Sequence, residues 1–242
     1  MLIQVDKFKE VITKATINFS IESVQLNFTP EEIRSKMISF ASDAIALLKI
    51  KNEVLPNITG EVQFNFVDPN QMVMPYLNLV EGETIVKIYD ERVSLMTGNQ
   101  TSNLYFCAPS VVNTLASDGP KVSIPMFHEI SVDKDFNDVF DKIKKVAPRF
   151  DKIYFGVDSG KFYIETTDKT NKFSNTLRIL LGNCSSTDIS LCFGYRNMFS
   201  LMSILSEDFK LYFHFVRENN LGMLRAANSS NSEQYFLMSK KE

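Results

Sequence analysis

The side chains best suited to chemistry are few in this 242-residue chain, and they are scattered. His128 and His214 are the only histidines, the residues whose ordinary pKa suits proton transfer near neutrality. His128 stands at the exit of a Pro/Gly-rich stretch and His214 inside an alternating apolar run, so both read as structural. Asp6 and Glu10 lie four apart, and Glu81 and Glu83 share a loop; acid pairs of this kind could serve acid–base catalysis. In a chain with 29 acids such pairs are ordinary surface features. Cys107, Cys184 and Cys192 are odd in number and lack metal-ligand spacing, which makes them small buried hydrophobes. No glycine-rich phosphate loop, zinc spacing or nucleophile elbow is present. The expectation is a protein that is not an enzyme and needs no cofactor or metal; a metal-dependent hydrolase would need the ligand cluster that is missing.

Cations offer a different chemistry, the neutralisation of phosphate. The net charge of −3 argues against a protein that grips nucleic acid tightly by that route. Residues 1–120 hold 9 Lys+Arg against 14 Asp+Glu, a net of −5; residues 121–242 hold 17 against 15, a net of +2. Lys134, Lys142, Lys144 and Lys145 fall off the apolar stripe of a helix expected at 133–147, with Arg149 just beyond. Lys7, Lys9 and Lys14 lie beside the stripe of a helix at 5–16, and Arg196 begins another. Taken singly, each is explained by a solvated helix face or by a favourable charge near a helix C-terminus.

The elements carrying these residues come in two copies. Val5, Phe8, Val11, Ile12 and Ala15 recur at helical spacing, and so do Phe136, Val139, Phe140, Ile143 and Val146. Phe8 to Phe136 is a shift of 128. The alternating strands SVQLNFT from Ser23 and DKIYFGV from Asp151 repeat that shift. Further strands follow, IRSKMISF and AIALLKIKN in the first half, KFYIETTD and KFSNTLRILL in the second. Second helices are expected near 69–80 and 196–205, Met72 and Met198 standing 126 apart. Pro75 requires the first of these either to begin near residue 72 or to kink. A three-strand meander closes each half: TIVKIYD, RVSLMT and NLYFCAP, then FKLYFHFV, GMLRAA and QYFLMSKK. Gly98-Asn99 marks a turn in the first, Asn219-Asn220 with Gly222 in the second. Offsets this constant across helix, strand and helix indicate a structural duplication. Between the copies, SVVNTLASDGPKVSIP contains Asp118-Gly119-Pro120 and Pro125, which forbid a regular helix or a central strand. The expected division is 1–116, a connector at 117–127, and 128–242.

Composition fits an ordinary globular protein, 44% hydrophobic and 23% charged. No apolar run reaches the roughly 18–20 residues of a membrane span, and the start lacks a secretory signature. The chain is therefore expected to be intracellular and cytoplasmic, with no membrane partner. Asn-x-Ser/Thr triplets at Asn57 and Asn99 then carry no weight.

This order of segments resembles the sliding DNA clamps of the proliferating cell nuclear antigen type, and is closest in layout to the T-even phage branch. APSVVNTLASDGPKVSIPM, VDKDFNDVFDKIKKVAPRFDKIYFGVDSGKFYI, NMFSLMSILSEDFKLYFHF and the terminal QYFLMSKKE carry the resemblance. It implies an α+β DNA-clamp fold: two topologically similar domains, each with two helices packed on antiparallel sheets, joined by an interdomain connector. It also implies a homotrimeric ring around double-stranded DNA, loaded by an ATP-dependent clamp loader and tethering DNA polymerase. A ring in a phage would sit in the host cytoplasm.

By the resemblance, Lys7, Lys9, Lys14, Lys134, Lys142, Lys144, Lys145, Arg149 and Arg196 face DNA in the bore. The 69–80 helix departs from this pattern, having no Lys or Arg. Ile38, Ser42, Val122, Ile124, Leu237 and Met238 match the pocket for partner peptides. The subunit joint would pair the strand of Asn103, Leu104, Tyr105, Phe106 and Cys107 with that of Phe173, Ser174, Thr176, Arg178 and Leu180. The alternatives are a monomeric clamp-fold processivity factor and a mobile clamp that tethers transcription or repair machinery.

Overall fold

A computed structural model describes residues 1–116, 124–171, 173–217 and 220–240. The chain forms two compact units, Met1–Pro120 and Lys121–Glu242.

The first unit runs β1 (Leu2–Ile3), α1 (Val5–Ala15), β2 (Ser23–Phe28), β3 (Glu32–Ile38), β4 (Ala44–Lys51), β5 (Val62–Val67), α2 (Pro69–Met72), α3 (Met74–Asn78), β6 (Thr84–Ile88), β7 (Arg92–Thr97) and β8 (Gln100–Tyr105). Its antiparallel strands lie in the orders β1-β6-β7-β8 and β5-β2-β3-β4. The second unit runs β9 (Met126–Ser131), α4 (Lys134–Val146), β10 (Lys152–Asp158), β11 (Lys161–Thr166), β12 (Leu177–Asn183), β13 (Ile189–Gly194), α5 (Tyr195–Met202), β14 (Phe209–Val216), β15 (Leu221–Asn228) and β16 (Glu233–Met238). Its orders are β9-β14-β15-β16 and β13-β10-β11-β12. Replacing each strand of the first unit by its counterpart gives the second, so the repeat seen in sequence is a repeat of topology.

Each unit is held by an aromatic core that the amphipathic elements create. Val5, Phe8, Val11, Ile12 and Ala15 are all buried on one side of α1. There Phe8 meets Phe28, Phe64 and Phe66 at centroid separations of 6.4, 5.9 and 6.5 Å. In the second unit Phe213 lies 4.9 Å from Phe155 and 5.0 Å from Phe162. Aromatic rings offset or tilted at such distances add attraction beyond the area they bury.

The structure departs from the sequence reading in several places. The helix expected at 69–80 is broken at Val73 (φ −121°) into α2 and α3, with Pro75 in the first turn of α3, where its missing N–H costs no hydrogen bond. Asp68 caps α2 by accepting from Gln71 N at 3.3 Å. β12 begins at Leu177, five residues after the expected start at Lys172, which itself lies outside the described residues. The intervening chain is held by side chains instead: Asp168 N donates to Ser174 Oγ, and Phe173 N to Asn171 Oδ1. β8 closes at Tyr105, before the expected end, because Phe106 turns inward and its ring stacks on Phe64 at 5.1 Å. Gly222 is not a turn residue; it pairs with Phe215 inside β15, where a Cβ would come within 2.4 Å of Leu191 Cδ2. Strands β1, β5, β9 and β13 carry no expectation from sequence, and His128 falls on β9 and not in a linker exit. Residues 117–123, including Asp118-Gly119-Pro120 and Val122, lie outside the described residues, as does Asn219.

Candidate nucleic-acid interface

Helix α4 is the strongest cationic element. Asp133 starts it by accepting from Phe136 N at 2.9 Å, and buried Phe136, Phe140 and Ile143 fix which side faces the core. That rotation leaves Lys134, Lys142, Lys144, Lys145 and Arg149 exposed, and none is ion-paired with an acid among the described residues. Lys144 Nζ lies 5.6 Å from the Phe199 ring centroid, so its stem crosses toward α5. Asp133, Asp135 and Asp138 precede Lys142, Lys144 and Lys145, an order that complements the helix dipole, while Lys134 opens the helix and Asp141 stands among its last turns. Three lysines against the one carboxylate of Asp141 leave a net positive charge at the C-terminal end, where a phosphate could be met. Arg196, in the first turn of α5, is also exposed.

Helix α1 is different. Lys7 lies 3.6 Å from both Glu10 and Glu53, Lys9 3.5 Å from Asp6, and Lys14 3.1 Å from Glu10. Burial raises the Glu10 carboxyl, but the hydrogen bond and charge of Lys14, then Lys7, outweigh it and hold it below its ordinary value. All three lysines of α1 thus have local acids. Such exposed pairs are worth about 0–1 kcal/mol each, so they dilute the charge offered to phosphate without locking it away. On α2 and α3 there is no cation at all.

β8 ends a sheet of the first unit and β12 a sheet of the second. β8 carries no charge and no proline, and β12 carries Arg178 as its one charge. Edges are ordinarily protected by lysine, proline or bulging; β12 is bulged at Leu181, where its register to β11 shifts, and carries Arg178, so β8 is the less guarded of the two. Tyr105 at the end of β8 is 63% exposed and Leu180 of β12 is 60% exposed, whereas Leu104 is buried. Asn103 accepts from Ser94 Oγ at 2.6 Å. Of the remaining residues expected at a joint, Phe106 and Cys107 lie beyond β8, and Phe173, Ser174 and Thr176 precede β12; Phe173 is nevertheless 84% exposed.

Arg178 is the hub of a network that sequence reasoning did not assemble. Its Nε donates to Glu165 Oε2 at 2.6 Å, its Nη1 to Asp158 Oδ2 at 2.7 Å, and its guanidinium lies 4.2 Å over the Tyr163 ring. Burial opposes the Arg178 charge, but the hydrogen bonds to Glu165 and then Asp158 raise its pKa further; burial in turn raises the Tyr163 hydroxyl. Glu165 and Arg178 are 13 residues apart and meet through the β11–β12 register, which no local sequence signal announces.

Among the residues expected to dock partner peptides, Ile38 is half-buried in β3 and Ser42 is exposed, with φ 57°, in the turn before β4. In the second unit Ile124 and Met238 are half-buried, and Leu237 faces the core. Ile124 O contacts His214 Nδ1 at 2.9 Å. Cys184 and Cys192 are buried, while Cys107 is only half-buried, its thiol pKa raised by burial. Among the described residues no group of three His, Cys, Asp or Glu could hold a metal ion, and no helix is long and apolar enough to cross a membrane.

No family model matches the sequence, and no curated protein matches it. Solved structures do match in shape. The A. fulgidus PCNA bound to the C-terminal region of FEN-1 is 15% identical with a TM-score of 0.65, over 100% of this chain and 99% of that one. The Helicobacter pylori beta clamp bound to a DNA ligase peptide is 14% identical with a TM-score of 0.65, over 100% of this chain and 67% of that one. The DNA polymerase III beta subunit of Pseudomonas aeruginosa is 11% identical with a TM-score of 0.67, over 100% of this chain and 66% of that one. The chain has the sliding-clamp fold, an α+β architecture of two similar domains.

Proposed function

We propose that this protein is a sliding clamp: a homotrimeric ring that encircles double-stranded DNA and holds DNA polymerase on it. The observation that carries the reading is the match in shape to a PCNA over essentially the whole of both chains. The position of β8 and β12 at the ends of their sheets supports closure by strand addition between copies. The free cations of α4 support sequence-independent contact with phosphate, which a ring held by topology needs only weakly. Ile38, Ser42, Val122, Ile124, Leu237 and Met238 are the residues proposed for peptide docking, by analogy with the clamps bound to FEN-1 and DNA ligase segments. Loading by an ATP-dependent partner, an intracellular setting and kinship with the T-even phage clamps belong to the same proposal.

Light scattering coupled to size exclusion tests it. A mass of three subunits is expected, with Tyr105→Asp and Leu180→Asp each shifting it toward one. A mass near one subunit at every concentration overturns the ring and leaves the monomeric processivity factor.

A further inference from the structure

Strands β2 and β3 pair only at Asn27↔Arg34 and Phe28↔Ile33, although β2 begins at Ser23 and β3 runs on to Ile38. Continuing that antiparallel register sets Gln25 opposite Lys36 and Ser23 opposite Ile38. Both places are taken by another part of the chain. Leu115 N donates to Lys36 O at 3.0 Å, Ile38 N donates to Asn113 O at 3.2 Å, and Thr114 bridges to Met37. The sheet is therefore forked, with the segment 113–115 holding the partners that β2 would take.

Side chains satisfy the groups that the fork would otherwise strand. Gln25 N donates to Met37 Sδ at 3.2 Å, Gln25 O accepts from Ser35 Oγ at 2.8 Å, and Ser23 Oγ accepts from Asn113 N at 3.3 Å. Asn113 Nδ2 donates in turn to Ser39 O at 3.1 Å, which pins the segment. A thioether is a weak acceptor, so the N–H of Gln25 loses little by turning to a carbonyl. The fork also holds a cleft of about 380 Å³ bordered by Gln25, Ser35, Lys36 and Leu115, room into which the two strands can close. Withdrawal of 113–115 with closure of β2 on β3 replaces backbone hydrogen bonds at Lys36 and Ile38 by others of the same kind.

We propose that 113–115 is an exchangeable strand: when it leaves, Gln25 takes Lys36 and Ser23 takes Ile38, and when it returns the hairpin forks again. β3 is thereby a switch between two partners, and it joins the position of the chain that runs on from residue 116 to the pairing of β2. The inference concerns the first unit alone and rests neither on the ring nor on DNA.

Amide hydrogen exchange read residue by residue on the full chain tests it, because the switch moves two amides in opposite directions. Met37→Leu keeps the buried volume but removes the acceptor of Gln25 N, and Asn113→Ala removes the pin to Ser39. In each variant Leu115 N is expected to exchange faster, by about fivefold or more, and Gln25 N more slowly. Leu48 N, opposite Ser35 in the β3–β4 ladder, should keep its rate and so mark an intact sheet; either variant that passes this check decides the matter. Simple loosening would speed both amides, and a fork with a single pairing would leave Gln25 no slower. Either of those results, or an unchanged Leu115, overturns the proposal.

Discussion

Arg178 Nε donates to Glu165 Oε2 at 2.6 Å, and Glu165 is only 3% exposed, so one arginine on an edge strand satisfies a carboxylate that has almost no water. Removing the arginine strands that carboxylate. Because Arg178 is itself partly solvated, Arg178→Ala is expected to cost about 1–3 kcal/mol, below the loss typical of a fully buried pair. Arg178→Lys should recover only part, since a lysine cannot reach both Glu165 and Asp158 with a planar fork. Urea denaturation of the three proteins checks this; equal midpoints for Arg178→Ala and the parent would refute it.

His214 gives a pH dependence whose sign follows from its surroundings. Ile124 O can only accept, so Nδ1 carries the proton, and Nε2 is buried with no partner among the described residues. Burial lowers the His214 pKa, outweighing the hydrogen bond to Ile124, and Arg225 adds to the lowering; burial lowers His128 as well. A depressed histidine contributes stability that is fully present above its unfolded value of about 6.5 and is lost as pH falls through the folded value. Thermal midpoints should therefore drop as pH is lowered from about 7 toward 5, and the double variant His128→Phe, His214→Phe should flatten that slope. An unchanged slope in the double variant would sink the assignment.

The parts legible in the sequence were those written in local periodicity. Phe8 and Phe136 sit on helices because their neighbours recur at helical spacing, and the offset of 128 carries the duplication. What stayed illegible depends on long-range partners. Phe106 reads as a strand residue until Phe64 pulls it inward, and β12 starts late because Asp168, Asn171 and Ser174 close the preceding turn with side-chain bonds. The cations of α4 were legible as candidates, whereas the acids of α1 that occupy Lys7, Lys9 and Lys14 were visible in the chain but not their pairing. The exposure of Met72, against the burial of its counterpart Met198, was not legible either, since hydrophobicity alone does not tell a buried methionine from an exposed one.

Phe8 anchors the first unit. It has no exposed surface and touches three further phenylalanines, none of which can collapse far into the vacated space. Phe8→Ala is expected to cost about 3–5 kcal/mol. In the second unit the counterpart Phe136 is slightly more exposed. Because the units have separate cores, differential scanning calorimetry of Phe8→Ala should show a low-temperature transition for the first unit; a single unshifted transition would contradict the packing.

Charge reversal separates the two cationic helices. Lys142, Lys144 and Lys145 have no acid partner among the described residues, whereas Lys7, Lys9 and Lys14 each have at least one. Reversing the α4 trio to Glu changes the helix by six charge units, against which only Lys134 and the nearby Arg149 remain, and it leaves the buried stripe of Phe136, Phe140 and Ile143 untouched. Loader-dependent stimulation of a polymerase on primed circular DNA should be abolished, with the circular dichroism spectrum unchanged. Neutralising the α1 trio to Gln should do much less, because Glu10, Asp6 and Glu53 already offset that charge. Each phosphate contact contributes to the dependence of affinity on salt, so lowering the ionic strength should deepen the difference between parent and α4 variant. Equal stimulation by the parent and the α4 variant would remove α4 from the DNA-facing surface, and a larger defect in the α1 variant would move that surface to the first unit.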